Sequence, residues 1–217
     1  MQTYRSLLRN LLVATTSPIA IAMVILFGLI AFTAYEQFTK DIPDVPAIKQ
    51  GQLSLPSDQN MPISLQGNWR FYWQQLLTPQ DLTDQYHLIT VPSRWRDVNI
   101  DGISLSAPGF ATYAATVEFD RRSRSLGLRL PVLYRAATVW VNGEVVAEIG
   151  RPGATAKEEI PRDEIKIIPL PNTAKKLQLV IQVSSFHHVD GGLSLPVVID
   201  DLSRLEYAEK WRIVRGI

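Results

Sequence analysis

The sequence predicts a mainly β fold, a jelly-roll sandwich of two sheets, with one transmembrane helix before it and a helix after it. Three observations predict this architecture. An apolar segment near the N-terminus contains no charged residue from Leu11 to Tyr35. Short segments in which apolar and polar residues alternate then follow, separated by prolines and glycines, as in all-β sandwiches. A helical pattern begins at Ser203.

The apolar segment is long enough to cross a membrane. As a helix, residues 11–35 reach roughly 37 Å at about 1.5 Å per residue, against about 30 Å of hydrocarbon. Arg5 and Arg9 precede the segment and Asp41 and Asp44 follow it, so the positive-inside rule places the N-terminus in the cytoplasm. A cleaved signal peptide is the alternative, but its apolar region is usually only ~7–15 residues long. We expect an uncleaved single-pass anchor in the inner membrane, with the main domain in the periplasm.

Composition divides the chain into four regions. Residues 1–35 are predicted to form a cytoplasmic amphipathic segment and the transmembrane anchor. Residues 36–61 are polar and proline-containing, which is typical of an extended stalk. Residues 62–202 are predicted to form the periplasmic jelly roll, and residues 203–217 a basic helix that leads to a missing membrane domain.

Short strands are predicted throughout the third region. They are residues 68–73, 112–119, 126–130, 138–141, 144–149, 165–168, 177–184 and 195–199. Asn142-Gly143 lies between two of them and predicts a tight type I′ hairpin, which requires positive φ at both central residues. A short helix is predicted over residues 78–82. The C-terminal helix opens with Ser203 and Glu206 at capping-box spacing.

Composition also excludes several classes of function. The formal net charge is +1, so there is no electrostatic bias toward nucleic acid. Cysteine is absent, which removes disulfides, thiolate catalysis and cysteine-ligated metal sites. No paired carboxylates flanking a cleft and no nucleophile motif are evident. We therefore expect no enzymatic activity, no metal and no cofactor.

Several motifs occur in an order that resembles a known family. The motifs are Leu65 to Trp73, Val91 to Trp95, Gly109 to Tyr113, Val139 to Gly143, and Val183 to His188 followed by Gly191-Gly192. Over residues 62–200 this order resembles the extracellular sensor domain of bacterial receptors with seven transmembrane helices and diverse intracellular signalling modules. More distantly, it resembles the galactose-binding-like jelly roll at the N-terminus of family 2 glycosidases.

The resemblance implies a periplasmic jelly roll that binds carbohydrate or another small ligand. In the family, such a domain precedes a membrane domain and a cytoplasmic cyclase, diguanylate cyclase or kinase. The seven-helix region and the output domain are not in this sequence, and the helix from Ser203 stands where the family enters its first membrane helix. We therefore expect the chain to be a fragment or a truncated relative of such a receptor.

Three candidate ligand contacts lie in or beside the predicted loops. Arg94 and Trp95 form an adjacent pair that can stack on a sugar face and bind its hydroxyls. Tyr113 opens a strand. For Trp95 and Tyr113 the alternative is a core position between the sheets.

His187, His188 and Asp190 follow the strand 177–184. Neighbouring residues on an extended chain point to opposite sides, so the two histidines are not expected to share a metal ion. A ligand contact or a pH-responsive role is one interpretation, since histidine titrates near neutral pH. Hydrogen bonding to loop backbone groups is the other.

These observations predict a membrane-anchored periplasmic sensory module of a bacterial receptor that binds a glycan or another small molecule. Its other expected partners are the membrane, a second copy of the chain and a downstream signalling domain, and nucleic acid is not among them. The alternative is a non-catalytic structural or protein-interaction module tethered to the membrane. A hydrolase subunit whose catalytic part lies on another chain is a third hypothesis.

Overall fold

The computed structural model describes residues 18, 22, 24–29, 46–56, 59, 61–120, 125–131, 136–171 and 175–215. The chain divides into two units, Met1–Val45 and Pro46–Ile217. The described residues of the first unit are helical. Within the residues described, no helix combines the length and the apolar character that crossing a bilayer requires. The predicted anchor and the segment before it fall mostly outside the described residues, so both stay predictions.

The second unit is built from short strands. In chain order they are β1 (Gln52–Leu55), β2 (Ile63–Ser64), β3 (Gly67–Trp73), β4 (His87–Val91), β5 (Asn99–Ile100), β6 (Ile103–Ser104), β7 (Gly109–Phe119), β8 (Leu126–Leu130), β9 (Ala136–Val141), β10 (Glu144–Ile149), β11 (Lys166–Pro169), β12 (Lys176–Ser185) and β13 (Val198–Asp201). The predicted strands are confirmed, except that the last begins at residue 198 rather than 195.

Two sheets form the sandwich. The larger runs in the order β10-β9-β12-β7-β3-β4 with antiparallel neighbours, and β1 joins it by pairing in parallel with β7. The smaller runs in the order β11-β8-β13-β2. Strands β5 and β6 form a separate pair. The prediction of a mainly β sandwich is therefore confirmed.

Alternating apolar side chains of both sheets form one core. On β12, Leu177, Leu179, Ile181 and Val183 are buried at 3% exposure or less, whereas the intervening Gln178 is half-buried on the other face. Burial of each such side chain stabilises the fold by about 1.5–3 kcal/mol. The smaller sheet contributes Leu126, Leu128, Leu130 and Ile199 to the same core.

Aromatic residues of β3 also face this core. Trp69 and Phe71 are fully buried, and Trp73 packs at the edge of the core. Between them, Tyr72 points to the outer face of the sheet, where it packs with Trp140 and Val180.

The segment 74–86 covers that outer face of the larger sheet. Its structure differs from the prediction for residues 78–82. The hydroxyl of Tyr72 donates a hydrogen bond of 2.7 Å to the Thr83 carbonyl. The predicted helix over residues 78–82 is wrong, because the structure has a turn at residues 79–81. The Asp81 carboxylate accepts from the hydroxyl of Thr78 at 2.5 Å and the Asp81 N–H donates to the Thr78 carbonyl at 3.0 Å. This closes one turn and lets Leu82 pack back onto the sheet.

The hairpin between β9 and β10 has the predicted geometry. Asn142 and Gly143 have φ values of 52° and 87°, as a type I′ turn requires. The Asn142 side chain also accepts a hydrogen bond from the Gln178 N–H at 2.8 Å and donates to the Lys176 carbonyl at 3.1 Å. It therefore fastens the hairpin to β12.

The boundary predicted at residue 62 is corrected by the structure. Strand β1 lies inside the predicted stalk of residues 36–61, yet Leu53 and Leu55 are buried in the core and Ile48 is 1% exposed. The sequence Gln52–Leu55 is only four residues long, and pairing with β7 supplies the burial that keeps it extended. The sandwich therefore begins before residue 62, and residues 36–45 lie outside the described residues.

One helix, α1 (Leu202–Arg215), follows β13 and confirms the predicted C-terminal helix. It begins at Leu202, so Ser203 lies inside the helix and the predicted capping position is wrong. Leu205 is buried, and a Cβ added to Gly127 of β8 would lie 3.0 Å from both Leu202 and Leu205. The helix therefore packs on β8. Its first N–H donates to the Ser125 carbonyl at 3.0 Å, so α1 starts beside the first residue of β8.

Candidate functional site

The predicted site residues lie at the end of the sandwich where β7 begins and β12 finishes. Gly109 is paired with Ser185 at this end. Two loops, residues 92–98 and 186–193, meet there through hydrogen bonds from the Ser93 N–H to the Leu193 carbonyl (2.8 Å) and from the Trp95 N–H to the Gly191 carbonyl (3.0 Å). We call this region the loop end.

Trp95 and Tyr113 form a buried pair beneath the loop end. Both side chains are 0% exposed. The Trp95 indole N–H donates to the Tyr113 hydroxyl at 2.8 Å, and the Leu193 N–H donates to the same oxygen at 3.3 Å. The ring of Trp95 packs edge-on against Trp73, with centroids 4.9 Å apart. The prediction of direct ligand contact is therefore wrong for these two residues, which occupy the core position given as the alternative.

A glycine makes room for this tryptophan. A Cβ on Gly191 would lie 1.8 Å from the Trp95 ring, so a side chain at this position would require the ring or the loop to move. The next residue, Gly192, has φ of +97°, a conformation that residues with a Cβ rarely adopt. The two glycines thus fold the loop tightly over the indole.

Asp190 brings two arginines together above this core. Its carboxylate lies 3.0 Å from an Nη atom of Arg96 and 3.9 Å from Nε of Arg94. The Asp190 side chain is 20% exposed, whereas those of Arg94 and Arg96 are 47% and 53% exposed. Two guanidinium groups therefore share one carboxylate and still present donors to solvent.

His188 belongs to the same cluster. Its Nδ1 lies 3.1 Å from the Asp190 backbone nitrogen and 3.2 Å from the Asp190 carbonyl oxygen. The Ser185 hydroxyl lies 3.2 Å from the Asp190 carbonyl and 3.4 Å from the His188 carbonyl. These bonds hold the turn after β12 and orient the imidazole, which is exposed.

His187 contacts a different element, the loop of residues 151–160. Its Nε2 lies 3.2 Å from the Ala156 carbonyl. The same loop buries Glu159, which is 5% exposed and accepts from the Phe186 N–H at 3.0 and 3.2 Å through its two oxygens. The Gly153 N–H donates to Ser184 Oγ at 3.2 Å. The loop 151–160 thus holds Phe186 and His187 in place from one side.

Arg94, His188 and Asp190 therefore lie together at the loop end. His187 lies at its rim, and Trp95 and Tyr113 are buried beneath it. Two functional candidates were not predicted, Arg96 and Glu159. Arg96 could have been found from its position next to the Arg94-Trp95 pair. No local sequence pattern identifies Glu159, because Phe186, whose N–H it binds, lies 27 residues later in the chain.

The polar groups at the loop end can recognise a ligand. Guanidinium, imidazole and carboxylate groups can bind hydroxyl or acid groups of a ligand. Among the described residues, no three His, Asp or Glu side chains are grouped closely enough to hold a metal ion. A surface cleft of about 370 Å³ lies elsewhere, where β1 and β7 finish, and is lined by Ser54, Leu55, Pro56, Glu118, Phe119 and Asp120. None of the candidate residues lines that cleft.

Comparison with known proteins gives the fold. No protein-family model and no curated protein matches the chain. A β-glucuronidase from Ruminococcus gnavus, in complex with N1-substituted uronic isofagomine, matches with a TM-score of 0.50 and 16% identity over 67% of this chain and 31% of that one. A Faecalibacterium prausnitzii β-glucuronidase (TM-score 0.49, 16% identity, 65% and 32%) and an Eisenbergiella tayi GH2 β-galacturonidase bound to galacturonate (0.45, 19%, 65% and 24%) also match.

The chain thus spans about a third or less of these enzymes. The match to the Ruminococcus gnavus enzyme shows a shared β-sandwich fold. It agrees at that level with the predicted distant resemblance to the jelly roll of family 2 glycosidases. The resemblance to the sensor domain of seven-helix receptors stays a prediction.

Proposed function

We propose that this chain is a non-catalytic, membrane-tethered module whose β-sandwich binds a saccharide or a similar polyhydroxylated small molecule at the loop end. One observation carries the proposal. Arg94, Arg96 and His188 surround Asp190 on a base made rigid by the buried Trp95–Tyr113 hydrogen bond. Such a cluster presents polar groups to a ligand in fixed positions, because the buried residues beneath it are held rigidly.

The polar groups suit a ligand rich in hydroxyls. A carboxylate accepts hydrogen bonds from hydroxyls, and guanidinium groups donate to hydroxyl and acid oxygens. An aromatic pair, Phe110 and Phe186, lies at the same end of the larger sheet, with ring centroids 6.4 Å apart. Partly exposed aromatic faces are a common platform for sugar rings. The fold shared with part of a carbohydrate-active enzyme supports the same ligand class.

For the whole chain, the proposed role is that of a sensor. The anchor predicted from the sequence would hold the sandwich in the periplasm of the inner membrane. Helix α1 starts at the opposite end of the sandwich from the ligand, so occupancy of the loop end would be transmitted through the sheets to that helix. No catalytic step is proposed, because Asp200, one of two adjacent carboxylates, is 5% exposed and paired with Arg204 at 3.1 Å.

The test is a glycan-array and thermal-shift screen of the full chain in detergent, against neutral sugars and against glucuronate and galacturonate. Binding that is lost in Arg94→Ala and Arg96→Ala supports the proposal. Lys176→Ala is the matched control, since this lysine forms a surface ion pair with Glu118 at 3.1 Å at the other end of the sandwich. Absence of binding to every probe, or equal binding by all variants, contradicts the proposal.

A second candidate function is protein interaction without a small ligand. Val189 in the loop 186–193 and Ile103 of β6 are 83% and 69% exposed, so both apolar side chains are available for contact with a partner. Sedimentation of the full chain in detergent distinguishes the two functions. A dimer that Val189→Ser dissociates would favour interaction.

A further inference from the structure

Arg70 of β3 lies on the outer face of the larger sheet, away from the loop end. It is two residues from Tyr72, which points to that face, and its neighbours in the sheet are Leu88 of β4 and Ala114 of β7. Ala114 lies roughly 17 Å along β7 from Gly109, at about 3.4 Å per residue. Arg70 and the loop end are therefore too far apart to contact one sugar-sized ligand.

The Arg70 side chain is half-buried between a turn and an aromatic ring. A Cβ added to Gly51 would lie 2.8 Å from its Cγ and 3.1 Å from its Nε, so the aliphatic stem runs across the Gly51 backbone. The guanidinium carbon lies over the Tyr86 ring, 4.9 Å from the centroid. These two contacts hold the side chain in one position on the sheet.

The guanidinium of Arg70 lacks an acceptor among the residues that the structure describes. Its Nε is enclosed and makes no hydrogen bond, and none of the described carboxylates pairs with it. A guanidinium carries five N–H donors, and removing a charge partly from water without a partner is costly. The other arginines that lie 3.9 Å or less from a carboxylate oxygen include Arg94, Arg96, Arg162, Arg204 and Arg212.

A second cation belongs to the turn that touches Arg70. Lys49 and Gln52 close this turn through backbone hydrogen bonds of 2.8 and 2.9 Å, and Gly51 lies within it. The Lys49 side chain is exposed, and it forms no ion pair with any described residue. The turn therefore brings a second positive charge to the same part of the sheet.

Acidic groups near this face do not neutralise the two cations. Burial raises the pKa of the Tyr72 hydroxyl, and the charges of Arg70 and Asp84 act on that pKa in opposite directions. Asp84 is therefore close enough to matter, but it contributes a single charge. Glu118, farther along the outer face of β7, is paired with Lys176 at 3.1 Å. The surface beside the turn keeps an excess of positive charge.

We propose that Lys49 and Arg70 form a binding site for a dianionic phosphate group, carried by inorganic phosphate or by a phosphate monoester. The Nη groups of a guanidinium donate parallel hydrogen bonds to phosphate oxygens, and an ammonium adds a point charge. Two positive charges match the two negative charges of the phosphate group, whereas a carboxylate carries one. The proposal does not depend on saccharide binding at the loop end.

Amide proton–nitrogen NMR of the full chain in detergent, at about pH 8, tests this site. Sodium phosphate, glycerol 3-phosphate and sodium acetate are each titrated against sodium chloride at equal ionic strength. We expect saturable shifts of the Gly51, Gln52 and Tyr86 signals with phosphate, and binding of acetate weaker by about tenfold. Saturation by inorganic phosphate alone identifies the free anion as the ligand, and saturation by glycerol 3-phosphate alone identifies a monoester.

Substitutions test the role of each charge. Arg70→Gln should raise the dissociation constant for phosphate by about tenfold or more, and Lys49→Gln should raise it by a smaller factor. Asp84→Asn should lower the dissociation constant, because it removes the opposing charge. Arg162→Gln is the matched control and should bind like the wild type, since Arg162 is 67% exposed and pairs with Glu164 at 3.6 Å.

Two results overturn the proposal. One is a set of wild-type shifts that do not saturate or that chloride reproduces, a result that needs no variant and so stands even where Arg70→Gln does not fold. The other is an unchanged dissociation constant in an Arg70→Gln variant whose spectrum is that of a folded chain. Signals of residues 92–97 report binding at the loop end separately, so failure of one site is distinguished from failure of the other.

Discussion

Substitution of Tyr113 by phenylalanine removes a single buried oxygen on which the loop end depends. That oxygen accepts hydrogen bonds from the Trp95 indole N–H and the Leu193 N–H. Trp95 is 0% exposed and Leu193 is 1% exposed. Phenylalanine keeps the shape of the ring, so the packing with Phe71, at a centroid distance of 5.0 Å, is preserved while two donors lose this acceptor.

The expected cost follows from those two donors. A buried donor without an acceptor costs about 1–3 kcal/mol. The 2.8 Å bond from Trp95 belongs in the upper part of that range and the 3.3 Å bond from Leu193 in the lower part. We expect Tyr113→Phe to lower the free energy of unfolding by about 2–4 kcal/mol. At a slope of about 2 kcal/mol per M urea, the midpoint should fall by 1–2 M, about 1.5 M at the centre.

Urea unfolding of the full chain in mild detergent, followed by far-ultraviolet circular dichroism, measures this shift. Tyr86→Phe is the matched control, since the Tyr86 ring packs against Tyr72 and Arg70 but its hydroxyl makes no hydrogen bond within the described residues. We expect its midpoint to stay near that of the wild type. A loss below about 0.5 kcal/mol for Tyr113→Phe would refute the account of the loop end as a base held by this hydroxyl.

Three further predictions concern the rest of the sandwich. Gly191→Ala should destabilise the fold by about 1–3 kcal/mol, because its Cβ would overlap the Trp95 ring; an unchanged thermal midpoint would contradict this packing. Asn142→Ala should cost about 2–3 kcal/mol in urea unfolding, because alanine loses both side-chain bonds and disfavours the positive φ, whereas Asn142→Gly should lose less. The hydrogen bond from Arg212 holds the pKa of Glu209 below its usual value of 4.5, so the wild type should be more stable than Glu209→Gln above pH 4.5, and the difference should vanish as the pH falls through the lowered pKa. A difference in thermal midpoint that grows toward acid pH would contradict that pairing.

Much of the sandwich could be predicted because its strands carry local signals. The alternation of Leu177, Leu179, Ile181 and Val183 specifies a half-buried strand without reference to its neighbours, and the structure pairs that strand with β7 and β9. Asn142-Gly143 likewise specifies its turn, since few other pairs adopt positive φ at both positions.

Strands without such signals were not predicted. In β1, two leucines alternate with polar residues over only four positions, and its burial comes from pairing with β7, some 64 residues later in the chain (Thr116 with Gln52). In β4, His87, Leu88 and Thr90 are exposed because it is an edge strand, so its pattern is weak. Both segments form strands because they pair with residues that are distant in the sequence.

The arrangement of the candidate site likewise depends on contacts between residues that are distant in the sequence. The adjacency of Arg94 and Trp95 marked the correct loop, but no sequence pattern shows that the indole turns inward to Tyr113 while the guanidinium stays outside. The approach of Asp190 to Arg96 depends on the crossing of two loops about 94 residues apart (96 and 190). Residue types could therefore be predicted, and the grouping of those residues could not.

The most direct test of the central claim is to map where a saccharide contacts the sandwich. Amide proton–nitrogen NMR spectra of the full chain in detergent would be recorded during titration with glucuronate, galacturonate and neutral sugars. The account predicts shifts confined to residues 92–97 and 186–192, and their loss in Arg96→Ala. Shifts confined to the cleft near Phe119, or no shift with any sugar, would contradict it.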